Sequence, residues 1–90
     1  MAHTIRDQKR LLSRIRRING QGEALERALR DGTRCDAILQ QIAAMRGAVN
    51  GLMVEVLEGH LRDHLAAETS ARKRHHDLEH IVRVVKSYMK

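Results

Sequence analysis

The run from Cys35 to Leu57, CDAILQQIAAMRGAVNGLMVEVL, constrains the fold more than any other part of the chain. Ile38, Ile42, Met45, Val49, Leu52 and Val56 recur at alternating steps of four and three, the spacing of one stripe on an α-helix. The opposite side carries Ala37, Ala44, Gly47, Ala48 and Gly51, small enough for a second backbone to approach closely. A helix that is apolar on one side and small on the other must be buried from two directions. The spacing predicts this helix over residues 34–65. A chain of 90 residues can hardly surround it alone, so a helical oligomer is expected.

The flanking segments read as helices too. Thr4 followed by Asp7 has the pattern of an N-cap with an acidic residue three positions on. Leu11, Ile15, Ile18, Gly22, Leu25 and Leu29 then mark a first amphipathic helix over residues 5–30, which Asp31-Gly32-Thr33 ends while offering the next cap. Residues 66–76, AAETSARKRHH, are polar and read as a loop or frayed turn. A short third helix follows, with Leu78, Ile81, Val82, Val85, Tyr88 and Met89 on one side. There is no Pro, Trp or Phe, so the core has to be aliphatic. That composition predicts an all-α, three-helix protomer forming one domain over residues 1–90.

The formal net charge is +6 and the isoelectric point about 10.4, a balance that favours polyanions. Tyr88 is the only aromatic residue, so there is nothing for unpaired bases to stack on, which argues against RNA or single-stranded DNA. Duplex DNA held through its phosphates fits better. No apolar run reaches the roughly 18 residues of a membrane span, and no signal peptide opens the chain, so the expected location is the cytoplasm. On a helical wheel Arg6, Lys9, Arg10, Arg14, Arg16, Arg17 and Arg27 fall in one arc of about 160°, with few counter-charges inside it. The second helix is too buried to serve as a recognition helix. DNA binding is therefore expected on a flat basic surface multiplied by assembly.

Cys35, His60 and His64 lie within the arc of the apolar seam of the second helix. His60 and His64, four residues apart, share a face and can chelate one ion. Cys35 and His60 are separated by about 37 Å along a continuous helix and cannot meet within one protomer. They can meet if two copies of the helix pair antiparallel about a two-fold axis. The midpoint of 35 and 60 falls between Gly47 and Ala48, where close crossing is easiest, and each of two equivalent sites would join Cys35 of one chain to His60 and His64 of the other. His3 adds an imidazole near the N-terminus, and removal of Met1 would free the Ala2 amine as a further nitrogen. One thiolate with several nitrogens suits Ni(II), Co(II), Zn(II) or Cu(II), and more than four donors favour a six-coordinate ion over tetrahedral zinc. His75, His76 and His80 form a second cluster, which reads as an exposed helix start.

The Cys35–Leu57 block, preceded by Arg14-Ile15-Arg16-Arg17-Ile18-Asn19-Gly20-Gln21, resembles the CsoR/RcnR/FrmR family of metal- or formaldehyde-responsive transcriptional repressors over nearly the whole chain. The opening His3-Thr4-Ile5-Arg6-Asp7 and the closing Ser87-Tyr88-Met89-Lys90 are most similar to the nickel/cobalt-responsive RcnR branch. The resemblance implies an antiparallel four-helix-bundle dimer, a homotetrameric dimer of dimers, and repression of an efflux or detoxification operon relieved when an effector binds at an intersubunit site. It places metal ligands at His3, Cys35, His60 and His64, and DNA contacts at Lys9, Arg10, Arg14, Arg16 and Arg17, of which the four arginines match best. The implied effector is Ni(II) or Co(II), with Zn(II) a further candidate. Copper(I) sensing needs a second cysteine near Leu61 that this chain lacks. A formaldehyde response would use Cys35 with the Ala2 amine. Gly22 stands where the family has a larger residue, and Arg16-Arg17 is closer to the formaldehyde branch. Outside that class, a metal-storage or chaperone bundle without an operator is the main rival, and no enzymatic activity is expected.

Overall fold

The computed structural model describes residues 7–88. Three helices follow one another: α1 over Gln8–Arg30, α2 over Cys35–His60 and α3 over Ala71–Tyr88, with a single π turn at Leu61–Leu65 extending α2. The expected Thr4 cap and Met89 lie outside the described residues.

Helix α1 ends as Asp31-Gly32-Thr33 foretells. The Gly32 N–H reaches the Leu29 carbonyl at 3.4 Å and the Thr33 N–H the Ala28 carbonyl at 3.0 Å, the two bonds of a Schellman cap. Gly32 takes φ +69°, a left-handed conformation that a Cβ makes costly. The turn sends α2 back along α1, and Ala28, just before it, is the one buried hydrophobic side chain among the described residues, 7% exposed. Thr33 does not cap α2, contrary to expectation. The N-cap position is Arg34, and Asp36 inside the first turn accepts from the Ala37 N–H at 3.0 Å. An acidic side chain there also suits the positive end of the helix.

The second helix runs as far as expected, but not as a uniform α-helix. The Ala66 N–H bonds to the Leu61 carbonyl at 2.9 Å, an i→i+5 closure. The expected loop over 66–76 is shorter than its polarity suggests, because α3 starts at Ala71. Ser70 is its cap: Oγ accepts from the Lys73 N–H at 3.3 Å, and the Ser70 carbonyl from the Arg74 N–H at 2.9 Å. The basic run after Ser70 is helical with its side chains exposed, so it lacks the apolar period that would have revealed it. At 18 residues α3 is not the short helix expected.

The chain forms a thin, open body, 56 × 29 × 12 Å, with a radius of gyration of 17.2 Å. A compact domain of this length would have about 12 Å. Helices α1 and α2 pair as an antiparallel hairpin, while α3 meets the rest of the backbone chiefly at the π turn. Between α2 and α3 lies an apolar groove of about 520 Å³, lined by residues including Leu52, Met53, Val56, Ile81 and Val85. Leu39, Ile42, Val49, Met53 and Val54 of α2 remain exposed. Of the six seam residues, Ile42 and Val49 are exposed and the other four only half-buried within one chain.

Two glycine substitutions should move stability in opposite directions in urea or thermal denaturation. Gly32→Ala should destabilise by about 1–2 kcal/mol through its left-handed backbone. Gly22→Ala, whose Cβ would sit 3.8 Å from Met45 Cε, should stabilise by about 0.5–1 kcal/mol as a helix-interior glycine removed without a clash.

Candidate metal and DNA-binding sites

The π turn sets the geometry of the two histidines. Residues four apart on an α-helix are offset around its axis, and a local i→i+5 closure widens the turn and brings them nearer to eclipse. The His60 and His64 rings accordingly stack, with centroids 5.2 Å apart and planes 12° from parallel. His60 is mostly covered, its side chain 12% exposed, whereas His64 is exposed.

His60 is held from α3. Its Nε2 lies 3.1 and 3.0 Å from the two carboxylate oxygens of Asp77. An ionised carboxylate only accepts, so the proton of a neutral His60 sits on Nε2 and Nδ1 carries the lone pair. This is how a carboxylate fixes the tautomer and orientation of an imidazole that serves as a ligand. Asp77 escaped the sequence reading because its partner is 17 residues away on another helix. Its place beside Ile81 and Val85 on the inward side of α3, where a charge needs a partner, is the one signal that could have found it.

Cys35 is the first residue of α2, and its thiol is exposed. The unbroken helix Cys35–His60 keeps it at the opposite end from the histidines. Among the described residues no three His, Cys, Asp or Glu side chains come together to hold a metal within one chain. The burial expected for Cys35 and His64 on the seam is not supplied by their own chain. His3 and Ala2 lie outside the described residues. The donors themselves, two imidazoles and a thiol, suit a borderline divalent metal, but the set needs completion from beyond the described part of one protomer.

Lys9, Arg10, Arg14, Arg16 and Arg17 all lie on α1, where Arg14 is half-buried and the others are exposed. Their environments divide them. Arg10 Nε is 3.1 Å and Arg14 Nε 2.8 Å from the two oxygens of Glu55 on α2. Arg10 also lies 3.9 Å from Asp7. Arg16 and Arg17 have no ion pair among the described residues and face solvent. The low density of counter-charge expected on this arc holds for α1 itself; the missing carboxylate comes from the neighbouring helix. A wheel drawn for one helix cannot show it.

A family model described as a metal-sensitive transcriptional repressor matches residues 7–87. The chain belongs to this metal-sensitive repressor family. Over the full length of both chains it is 63% identical to an uncharacterised protein in the bioA 5′ region of Serratia marcescens. It is 51% identical to the transcriptional repressor RcnR of Citrobacter koseri, again over the whole of both. Among solved structures it is similar to a glutamate-to-histidine variant of the formaldehyde-responsive regulator FrmR of Salmonella enterica serovar Typhimurium. That match has a TM-score of 0.82 and 55% identity, and covers 92% of this chain and 94% of the other.

A metal-sensitive repressor is not an enzyme, and this one is an all-α, three-helix protomer with a basic helix and a pair of stacked imidazoles. None of its described helices is long and apolar enough to cross a membrane. What the repressor's own fold brings together is His60, His64 and Asp77 at one end of α2, and Arg10, Arg14 and Glu55 across the α1–α2 hairpin. If Asp77 fixes the tautomer, long-range ¹H–¹⁵N spectra of the metal-free protein should show His60 protonated on Nε2. Asp77→Ala should return it to a mixture of tautomers, and an unchanged spectrum would contradict the assignment.

Proposed function

We propose that the chain is a DNA-binding repressor whose operator complex is released by Ni(II) or Co(II), bound between two protomers. The observation that carries the reading is the partial site: His60 and His64 stacked and oriented at one end of α2, Cys35 exposed at the other, and no completing ligand within one described chain. An antiparallel pairing of α2 across Gly47 and Ala48 supplies the missing thiol twice over. It also covers the apolar seam and the groove beside α3, for which the exposed Ile42, Val49 and Met53 provide the surface. Two such dimers form the tetramer, whose four chains at +6 each give it a strong attraction for duplex DNA in the cytoplasm.

The ligand set is His3, Cys35, His60 and His64, with the Ala2 amine as a further nitrogen. A bound divalent ion supplies a common centre for these donors. The chain's own residues do the rest. Asp77 holds His60 for coordination through Nδ1, His3 draws the N-terminal arm and α1 toward the end of α2, and the basic faces of Lys9, Arg10, Arg14, Arg16 and Arg17 leave their DNA register. Coupling of about 1–3 kcal/mol between the two sites is enough for such a switch. The RcnR relative, over the full chain, supports this branch.

A second reading is favoured by the likeness to FrmR and by the exposed thiol. Formaldehyde could join the Cys35 sulfur to the Ala2 nitrogen by one methylene; each gives up a proton and the aldehyde oxygen leaves as water. The chain would gain about 12 Da on mass spectrometry, through attack by the thiolate form of the cysteine.

A DNA-release titration with Ni(II), Co(II), Zn(II), Cu(I) and formaldehyde separates these readings. Cys35→Ala and His64→Ala should both bind DNA yet resist release by nickel and cobalt; full metal response in both variants would contradict the proposed site. Asp77→Ala should weaken metal binding by about 10–100-fold, the scale for losing a carboxylate behind a ligating histidine. Failure to shift duplex DNA from upstream of its own gene, with metal uptake intact, would instead favour a storage or chaperone bundle.

A further inference from the structure

Arg10 and Arg14, one turn apart on α1, share a single carboxylate. Arg14 Nε donates to Glu55 Oε2 at 2.8 Å, and Arg10 Nε lies 3.1 Å from Oε1. Exposure gives their order from the inside outward: the Glu55 side chain is 19% exposed, Arg14 37% and Arg10 66%. The carboxylate thus lies beneath and the guanidiniums above it. Both approach Glu55 through Nε, Arg14 by a hydrogen bond and Arg10 as an ion pair, while an Nη of Arg10 lies 3.9 Å from Asp7. Gly51 makes room for the arrangement, since a Cβ there would come within 3.0 Å of Arg14 Nη1.

Two guanidiniums at this spacing repel, and each long side chain has many rotamers to lose on binding. A carboxylate underneath offsets the repulsion and restricts both before DNA arrives. It also lowers the net charge that attracts any duplex. Those two effects act on different quantities: ordering favours the one register of DNA that fits a fixed pair of forks, whereas charge favours all sequences alike.

We infer that Glu55 is a positioning residue for DNA discrimination: it holds Arg10 and Arg14 as a pair on one carboxylate and trades general affinity for selectivity. The inference rests on the DNA-binding reading above. Glu58 provides the control, because it lies on the same helix, is exposed, and has no arginine partner among the described residues. The experiment measures metal-free protein binding to duplex from upstream of its own gene and to a scrambled duplex of equal length. Glu58→Gln should tighten both by similar factors. Glu55→Gln removes the same charge and should also tighten the scrambled duplex, but lower the ratio of the two affinities by about tenfold, the scale of one oriented side-chain contact.

Arg14→Lys keeps the charge and loses the Nε–H, so it should lower the ratio as well, and adding Glu55→Gln to it should lower it little further. A ratio in Glu55→Gln equal to that in Glu58→Gln would overturn the inference. Should Glu55→Gln fail to fold, an unchanged ratio in Arg14→Lys would do so. Wild-type protein that binds neither duplex would overturn the DNA-binding reading itself, a different result from loss of the contrast between the two variants.

Discussion

An unbroken α2 keeps its two ends about 37 Å apart, at roughly 1.5 Å per residue, and most of the proposed chemistry depends on that separation. Cys35 and His60 belong to the same helix and for that reason cannot share an ion within one chain. The same helix carries an apolar stripe that its own protomer covers only in part, and its smallest residues at its midpoint. In the proposed dimer, burial of that stripe and completion of the site are served by one event, the arrival of a second α2. In this account hydrophobic assembly creates the ligand geometry, so an effector that alters the site also acts on the contact that joins the subunits.

The elements that were legible in the sequence are those whose signal is local. The Schellman turn at Gly32 was readable because an Asp-Gly-Thr follows the last periodic leucine, and the α2 seam because six apolar residues keep one period. The start of α3 was missed although Ser70 is a good cap, because the residues after it are charged and exposed and carry no apolar rhythm. The π turn was not readable: nothing in Leu61–Leu65 distinguishes an i→i+5 closure from an ordinary last turn. It nevertheless changes the site, since it brings the two imidazoles into a stack.

The two carboxylates that organise the candidate sites were invisible for a different reason. Asp77 reaches His60 across 17 positions and Glu55 reaches Arg14 across 41. Patterns within a helix identify a basic arc or a histidine pair, but not the acidic residue that another helix brings beside it. Both carboxylates are placed alike: each lies on one helix and pairs with a cationic or imidazole side chain of the helix before it. The candidate donor groups are thus proposed from sequence, while the carboxylates beside them required the fold.

The central claim is that each metal site is divided between chains, and mixing two defective proteins tests it most directly. Cys35→Ala chains retain His60 and His64, and His64→Ala chains retain Cys35. After the two are unfolded and refolded together, a divided site predicts that mixed dimers regain one intact site each, about a quarter of the wild-type capacity for random pairing. That fraction would be read as the wild-type thiolate-to-nickel absorption recovered above the sum of the two variants measured alone. No recovery, with mixed dimers shown to be present, would place the ligands within a single chain and contradict the account.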